Sequence, residues 1–68
     1  MSEYLKVLLE CHKHPKAFQS DYARYCAGYI AEAASRGHIT SVINGLPTAR
    51  WYVTAEGLKF LQDNGMEV

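Results

Sequence analysis

Residues that stop helices and strands divide this sequence into short segments, and they limit the possible fold more than any other feature. Pro15 ends a first helical pattern, because the residue before a proline avoids the helical conformation. Gly37 follows a second helical pattern, and glycine is common just after the end of a helix. The pair Asn44-Gly45 is a turn signal. These positions predict two helical regions, a β-hairpin and a closing segment, with no room for a long continuous element.

The length and composition are those of one small globular domain, which we expect to comprise residues 1–68. A chain of this size buries about 60% of the surface that its unfolded form exposes, which allows one core. The apolar share is 49% and the charged share is 21%, which argues against disorder. The longest apolar run has three residues, so we expect no membrane-spanning segment. Glu3, Lys6 and Glu10 interrupt the first apolar stretch, so we expect no secretory signal and a cytoplasmic location.

The formal net charge is zero, but the charges are distributed unevenly. Residues 11–55 hold five Lys or Arg against two Asp or Glu, whereas both ends of the chain are acidic. Such a distribution favours contact with a polyanion even when the total charge is zero. Ordinary solvated surface charge is the alternative explanation.

The first and last segments predict amphipathic helices. The first helix is expected over about residues 3–12, with Ser2 as its N-cap. The closing helix is expected to begin after Thr54, a good N-cap, and to stop at Asn64-Gly65.

The second helical region is the longest, and its apolar stripe allows two interpretations. We favour one helix over about residues 20–36, because the stripe from Tyr22 to Ala33 keeps its phase through Gly28. Two helices that turn near Ala27 and Gly28 are the alternative, since a glycine inside a helix costs about 1 kcal/mol relative to alanine.

A β-hairpin is predicted between the second and last helices. Its strands are residues 38–43, which are rich in β-branched side chains, and residues 50–53, which alternate between polar and apolar. Residues 44–49 are expected to form a six-residue loop, because Pro47 interrupts regular pairing. Trp51 is expected at the centre of the core.

Two motifs flank the predicted hairpin. Residues 36–39 read Arg-Gly-His-Ile, a glycine-terminated helix leading into a strand, and residues 53–58 read Val-Thr-Ala-Glu-Gly-Leu, similar to a "Leu-Thr-x-x-Gly" helix start. Over about residues 20–62 the sequence resembles the winged helix-turn-helix family, and its small size is similar to that of phage or prophage regulators. The resemblance implies an α+β, winged-helix-like fold in which N-terminal helices precede a two-stranded hairpin (the wing) and a C-terminal helix.

The same resemblance implies a homodimeric transcriptional regulator that binds duplex DNA. The interval from Tyr22 to Gly37 is several residues shorter than the family's spacing. Either the first short helix lies earlier, around residues 16–21, or the turn between the two helices has been lost.

The family fold would bring the basic middle of the chain to the DNA. Phosphates are contacted by Lys, Arg, hydroxyl and amide groups, while contacts to base edges give specificity. The predicted DNA-contacting residues lie in the second helical region and the wing: Lys16, Gln19, Ser20, Arg24, Arg36, Asn44, Thr48 and Arg50.

The tyrosines support a second hypothesis. Tyr25 and Tyr29 are four residues apart on a face next to the apolar stripe, where they would cover Trp51 or contact a second subunit or another protein. Together with the zero net charge and the shortened interval, they favour a winged-helix-shaped protein-interaction module that does not bind DNA.

The cysteines and histidines do not indicate an active site or a cofactor. Cys11 and Cys26 lie in apolar stripes, and no glycine-rich oxyanion loop accompanies them. Cys11 and His14 have ligand-like spacing, and Cys26 with His38 would complete a zinc site, but only one of the spacings is short. We therefore expect no enzyme activity and no bound metal.

Overall fold

The computed structural model describes residues 2–68 and has the predicted α+β order of N-terminal helices, hairpin and C-terminal helix. No helix in this part of the chain is long and apolar enough to cross a membrane. The elements are α1 (Glu3–Lys13), β1 (Lys16–Ala17), α2 (Asp21–Tyr25), α3 (Ala27–Ser35), β2 (Ile39–Ile43), β3 (Leu46–Val53) and α4 (Ala55–Asp63).

Helices α1 and α4 begin at the predicted N-caps, Ser2 and Thr54. The hydroxyl groups of Ser2, Ser20 and Thr54 each accept a backbone N–H from the first turn of α1, α2 and α4, respectively. Gly37 follows the end of α3 with a φ of 77°, a left-handed conformation that glycine adopts without strain.

The second helical region is two helices, so the favoured single helix over residues 20–36 is wrong. The break lies at Cys26, where φ is −102° and ψ is 25°. The N–H of Cys26 still donates to the carbonyl oxygen of Tyr22, and the N–H of Ile30 donates to that of Cys26, both at 2.9 Å. Because helical hydrogen bonds continue on both sides of the break, the apolar stripe keeps its spacing and does not reveal it. The turn between α2 and α3 is reduced to one residue.

The strands form a three-stranded antiparallel sheet in the order β1-β3-β2. The two-residue strand β1 pairs with β3, Lys16 lying opposite Trp51 and Ala17 opposite Arg50. Strand β1 was not predicted, because two residues are too few to show an alternating pattern.

The predicted six-residue loop is also wrong, because β3 begins at Leu46 and leaves a two-residue turn. Asn44 and Gly45 have φ values of 52° and 79°. Positive φ at both central residues is what a type I′ turn requires, and Asn-Gly is the preferred pair for it. Pro47 lies within the strand, opposite Val42.

The core lies where α1, α3 and α4 meet the end of the β2–β3 hairpin that is opposite its turn, which we call the near end. Its largest fully buried side chains are Leu8, Cys11 and Leu61. The prediction that Trp51 lies at the centre of the core is wrong. Trp51 is half-buried and packs against Phe18, with 4.8 Å between ring centroids. Its position opposite the two-residue β1 leaves it at the edge of the core. The buried cluster comprises Val7, Leu8, Cys11, Cys26, Ile30, Ala33, Ile39 and Leu61.

Candidate interaction surface

Lys16 is held by contacts within the protein. Its Nζ lies 3.0 Å from Oε1 of Glu10 and 4.9 Å from the centre of the Tyr22 ring. The hydrogen bond from Lys16 lowers the pKa of the Glu10 carboxyl group. A lysine with an internal carboxylate partner and an aromatic ring beside it has less charge to offer to a phosphate.

The predicted arginines differ in what they contact. Arg24 Nη2 lies 3.3 Å from Asp21 Oδ1 at an exposed pair on α2. Arg36 Nη1 lies 3.0 Å from Glu32 Oε2. Arg50 is exposed on β3 and forms no ion pair within residues 2–68. Of these three arginines, only Arg50 has a charge that no neighbouring carboxylate offsets.

Arg36 also belongs to an aromatic corner formed by Tyr4, His38 and Phe60. Its guanidinium carbon lies 4.8 Å from the centre of the Tyr4 ring and 5.0 Å from that of Phe60. The Tyr4 hydroxyl and His38 Nδ1 share a 2.7 Å hydrogen bond, and the His38 and Phe60 rings stack. Arg36 therefore joins α1 to α4, which is a structural role.

The predicted polar contacts are dispersed, and several have structural partners. Ser20 caps α2 with its hydroxyl group, and the Thr48 hydroxyl donates to the carbonyl oxygen of Ser41 at 2.9 Å. Asn44 supplies the first positive φ of the hairpin turn, and Gln19 is exposed. Among these residues, the backbone N–H of Arg50 donates to the Thr48 hydroxyl, and the backbone N–H of Arg24 donates to the carbonyl oxygen of Ser20.

The outer face of α3 is built from small and neutral side chains. Its two nearby charges, Glu32 and Arg36, pair with each other. Since contacts to phosphates come mainly from Lys and Arg, this face lacks the free cations of a typical DNA-reading helix. The exposed small residues on it are Ala27, Gly28, Ala31, Ala34 and Ser35.

The two predicted interface tyrosines flank the break between α2 and α3. Tyr25 is 91% exposed, so it does not cover Trp51, and Tyr29 is also exposed. We call the surface that carries both rings the tyrosine face. No other part of the described chain, residues 2–68, covers it.

A second apolar surface, which was not predicted, lies at the end of the hairpin. Val42, Ile43 and Leu46 are 49%, 41% and 68% exposed at the end of the hairpin. With Pro47 they form what we call the hairpin tip. The signal was present, since consecutive apolar residues on either side of Asn-Gly break the alternation of a strand with one solvated face.

Neither cysteine is exposed. Cys11 and Cys26 are free thiols in the core, and burial raises the pKa of Cys11 to about 11. Within residues 2–68, no three His, Cys, Asp or Glu side chains are grouped so that they could hold a metal ion.

Comparison with known proteins shows what the chain is similar to. No protein-family model matches it, and no solved structure does. It is 48% identical over 66 residues to the fusion protein 5.5/5.7 of Escherichia phage T7, and spans 39% of that relative's length. It is also 48% identical over 66 residues to the gene 5.7 protein of Enterobacteria phage T3, with 96% of each chain covered. By this identity over nearly the full length of the phage T3 protein, the chain belongs to the phage gene 5.7 protein family.

Proposed function

We propose that this chain is a non-enzymatic protein-interaction module that docks on another protein through its tyrosine face. The exposure of Tyr25 carries the proposal, because 91% of this residue's surface lies open on a protein of 68 residues. Tyrosine is enriched at protein interfaces, where it supplies a large apolar area with a polar tip.

The charges around the tyrosine face support the same function. The ion pair of Asp21 with Arg24 lies on α2, and that of Glu32 with Arg36 lies at the end of α3. A centre of aromatic and small residues beside neutral ion pairs is similar to a protein interface with an apolar centre and a polar rim. It offers little unbalanced charge to a polyanion.

The test starts from photo-cross-linking in infected host cells, with Tyr25→p-benzoylphenylalanine in the full chain. We expect an adduct with one protein partner in the host cytoplasm. With that partner purified, Tyr25→Ser is expected to weaken binding by about 30-fold, as for an interface hot spot. Lys59→Ser, on the exposed side of α4, is the control and should leave the affinity unchanged. Equal affinities of all three forms would contradict the proposal.

Duplex-DNA binding by a homodimeric transcriptional regulator is the second candidate. The order of α2, α3 and the β2–β3 hairpin favours it, since this is the order that the winged-helix resemblance implies. Exposed Arg50 and Gln19 would then contact phosphates.

A fluorescence titration with mixed-sequence duplex DNA at low salt separates the two candidates. If DNA is the partner, log K falls by about 0.9 per phosphate neutralised for each tenfold rise in salt. Arg24→Ala and Arg50→Ala should then each weaken binding. Absence of binding by the folded protein would remove the DNA candidate, and binding that neither substitution changes would show that the predicted contacts are wrong.

A further inference from the structure

The hairpin tip is apolar on both of its faces. Residues directly opposite each other in an antiparallel pair have side chains on the same face, and successive residues alternate between faces. Ile43 lies opposite Leu46, and Val42 lies opposite Pro47. One face of the tip therefore carries Ile43 with Leu46, and the other carries Val42 with Pro47. A hairpin tip with apolar side chains on both faces buries both of them in a cleft, but only one of them on a flat surface.

The backbone of the tip is held in one conformation by local contacts. Asn44 and Gly45 form the two-residue turn, and the Thr48 hydroxyl donates across the hairpin to the carbonyl oxygen of Ser41. A rigid element loses little conformational freedom on binding. The hairpin tip is therefore preorganised for binding.

The free edge of β2 is poorly suited to strand addition. The register shifts between Thr40 and Val42, and the N–H of Val42 donates to Oγ1 of Thr40 at 3.2 Å. An edge strand with irregular pairing and a locally occupied N–H is a weaker template for another strand. Side chains, not backbone pairing, are therefore the contacts that the tip offers.

The charges near the hairpin tip favour a protein over DNA or a membrane as its partner. Residues 37–49 contain no Asp, Glu, Lys or Arg, and the next charge is the exposed Arg50. Arg50 lies four residues beyond Leu46 on the same strand, β3. Proteins that wedge apolar side chains into DNA combine them with Arg or Lys, and peripheral membrane elements also surround them with basic groups. The tip itself carries no such cations, and the single Arg50 beyond it is not a basic cluster.

We infer that the hairpin tip is a second docking element, which inserts into an apolar cleft of a protein partner that carries a carboxylate facing Arg50 at its rim. The inference rests on the proposed function. It adds a second contact site to the tyrosine face and specifies the apolar cleft and the carboxylate that the partner supplies there.

The experiment compares two photo-cross-linking positions in the full chain. Leu46→p-benzoylphenylalanine is expected to form an adduct with the same protein as the corresponding Tyr25 variant. Mapping of the adduct is expected to place it between apolar residues with an Asp or Glu at the rim. Adducts from position 25 alone would overturn the hairpin inference and leave the proposed function. Adducts from neither position would overturn both.

Affinity measurements with the purified partner supply a matched control. Leu46→Asp is expected to weaken binding by about 30-fold, because it introduces a charge into an apolar cleft. Val68→Asp makes a comparable change at another exposed aliphatic residue, which is 46% exposed, and should leave binding unchanged. Arg50→Glu is expected to weaken binding by about 10-fold, less so at high salt. Equal effects of Leu46→Asp and Val68→Asp on the folded proteins would overturn the inference.

Three further outcomes would also overturn it. One is binding to duplex DNA that Leu46→Asp abolishes, and another is Leu46-dependent binding to vesicles containing about 30% anionic lipid. The third is a position-46 adduct that contains only a second copy of this chain.

Discussion

The two ends of the β2–β3 hairpin have similar side chains but opposite surroundings. At the near end Ile39 lies opposite Val53, and Ile39 is buried in the core. At the far end Ile43 lies opposite Leu46, and both are exposed. Since both pairs are aliphatic, the difference in burial comes from what covers the strands. The helices pack on the near end, and the far end projects beyond them.

The comparison teaches how a short chain divides its apolar residues between stability and binding. The near end is closed by α4, whose Gly57 lies directly against the backbone of His38. The far end has no such cover within residues 2–68, so its exposed apolar groups contribute little to folding. Residues at the near end should control stability, and residues at the far end should not.

The largest expected effect separates two leucines. Leu61 is fully buried at the near end, so Leu61→Ala is expected to lower the free energy of unfolding by about 3 kcal/mol, through lost burial and a residual cavity. Leu46→Ala makes the same chemical change at the tip, and its effect should be within about 0.5 kcal/mol. Urea denaturation followed by circular dichroism measures both. Similar losses would show that the tip is covered in solution and would break the comparison.

A smaller effect is expected from a pair of glycines. A Cβ atom at Gly57 would overlap the backbone oxygen of His38 and lie 2.7 Å from Cγ1 of Val53. Gly57→Ala should therefore cost about 2 kcal/mol of stability, as overpacking does. Gly28→Ala is the control, because no atom lies within 4 Å of its Cβ position and alanine favours the helix by about 1 kcal/mol. A stable Gly57→Ala protein would mean that α4 packs less closely than described.

Local signals were enough to predict the ends of most elements. Ser2, Ser20 and Thr54 cap helices through their own hydroxyl groups, and Gly37 ends one through its own φ. The Asn-Gly pair indicates a two-residue turn and Pro47 indicates interrupted pairing; in the structure the turn forms and Pro47 lies within β3. By contrast, the break at Cys26 leaves the apolar spacing intact, so no periodicity argument could locate it.

The surface was less predictable than the fold, for two different reasons. The pairs Asp21–Arg24 and Glu32–Arg36 have helical spacings of three and four residues, so their pairing was readable from the sequence. The contact of Lys16 with Glu10 depends on how β1 lies beside α1, which the sequence does not specify. Burial of Trp51 and exposure of Leu46 likewise depend on how far the helices reach along the sheet.

The third prediction uses pH, because the near end holds a buried titratable group and the hairpin tip has none. Burial lowers the pKa of His38 below its ordinary value of 6.5, and Arg36 lowers it further, against the opposing effects of Glu56 and Glu32. Below pH 6.5 the unfolded chain therefore binds more protons at this residue than the folded one. Stability should be full above that pH and fall as the pH drops, by at most about 1.4 kcal/mol per pH unit for one group.

Urea denaturation at pH values from about 7.5 to 5 measures this loss in a range where most carboxyl groups remain ionised. His38→Gln is expected to be less stable at neutral pH, since it loses the stacking on Phe60, but its stability should change less with pH. His14→Gln alters an exposed histidine and should keep the full pH dependence. If His38→Gln follows the same pH curve as the unsubstituted protein, proton uptake at His38 is not what destabilises the near end. The lowered pKa of this histidine would then have no bearing on the difference between the two ends of the hairpin.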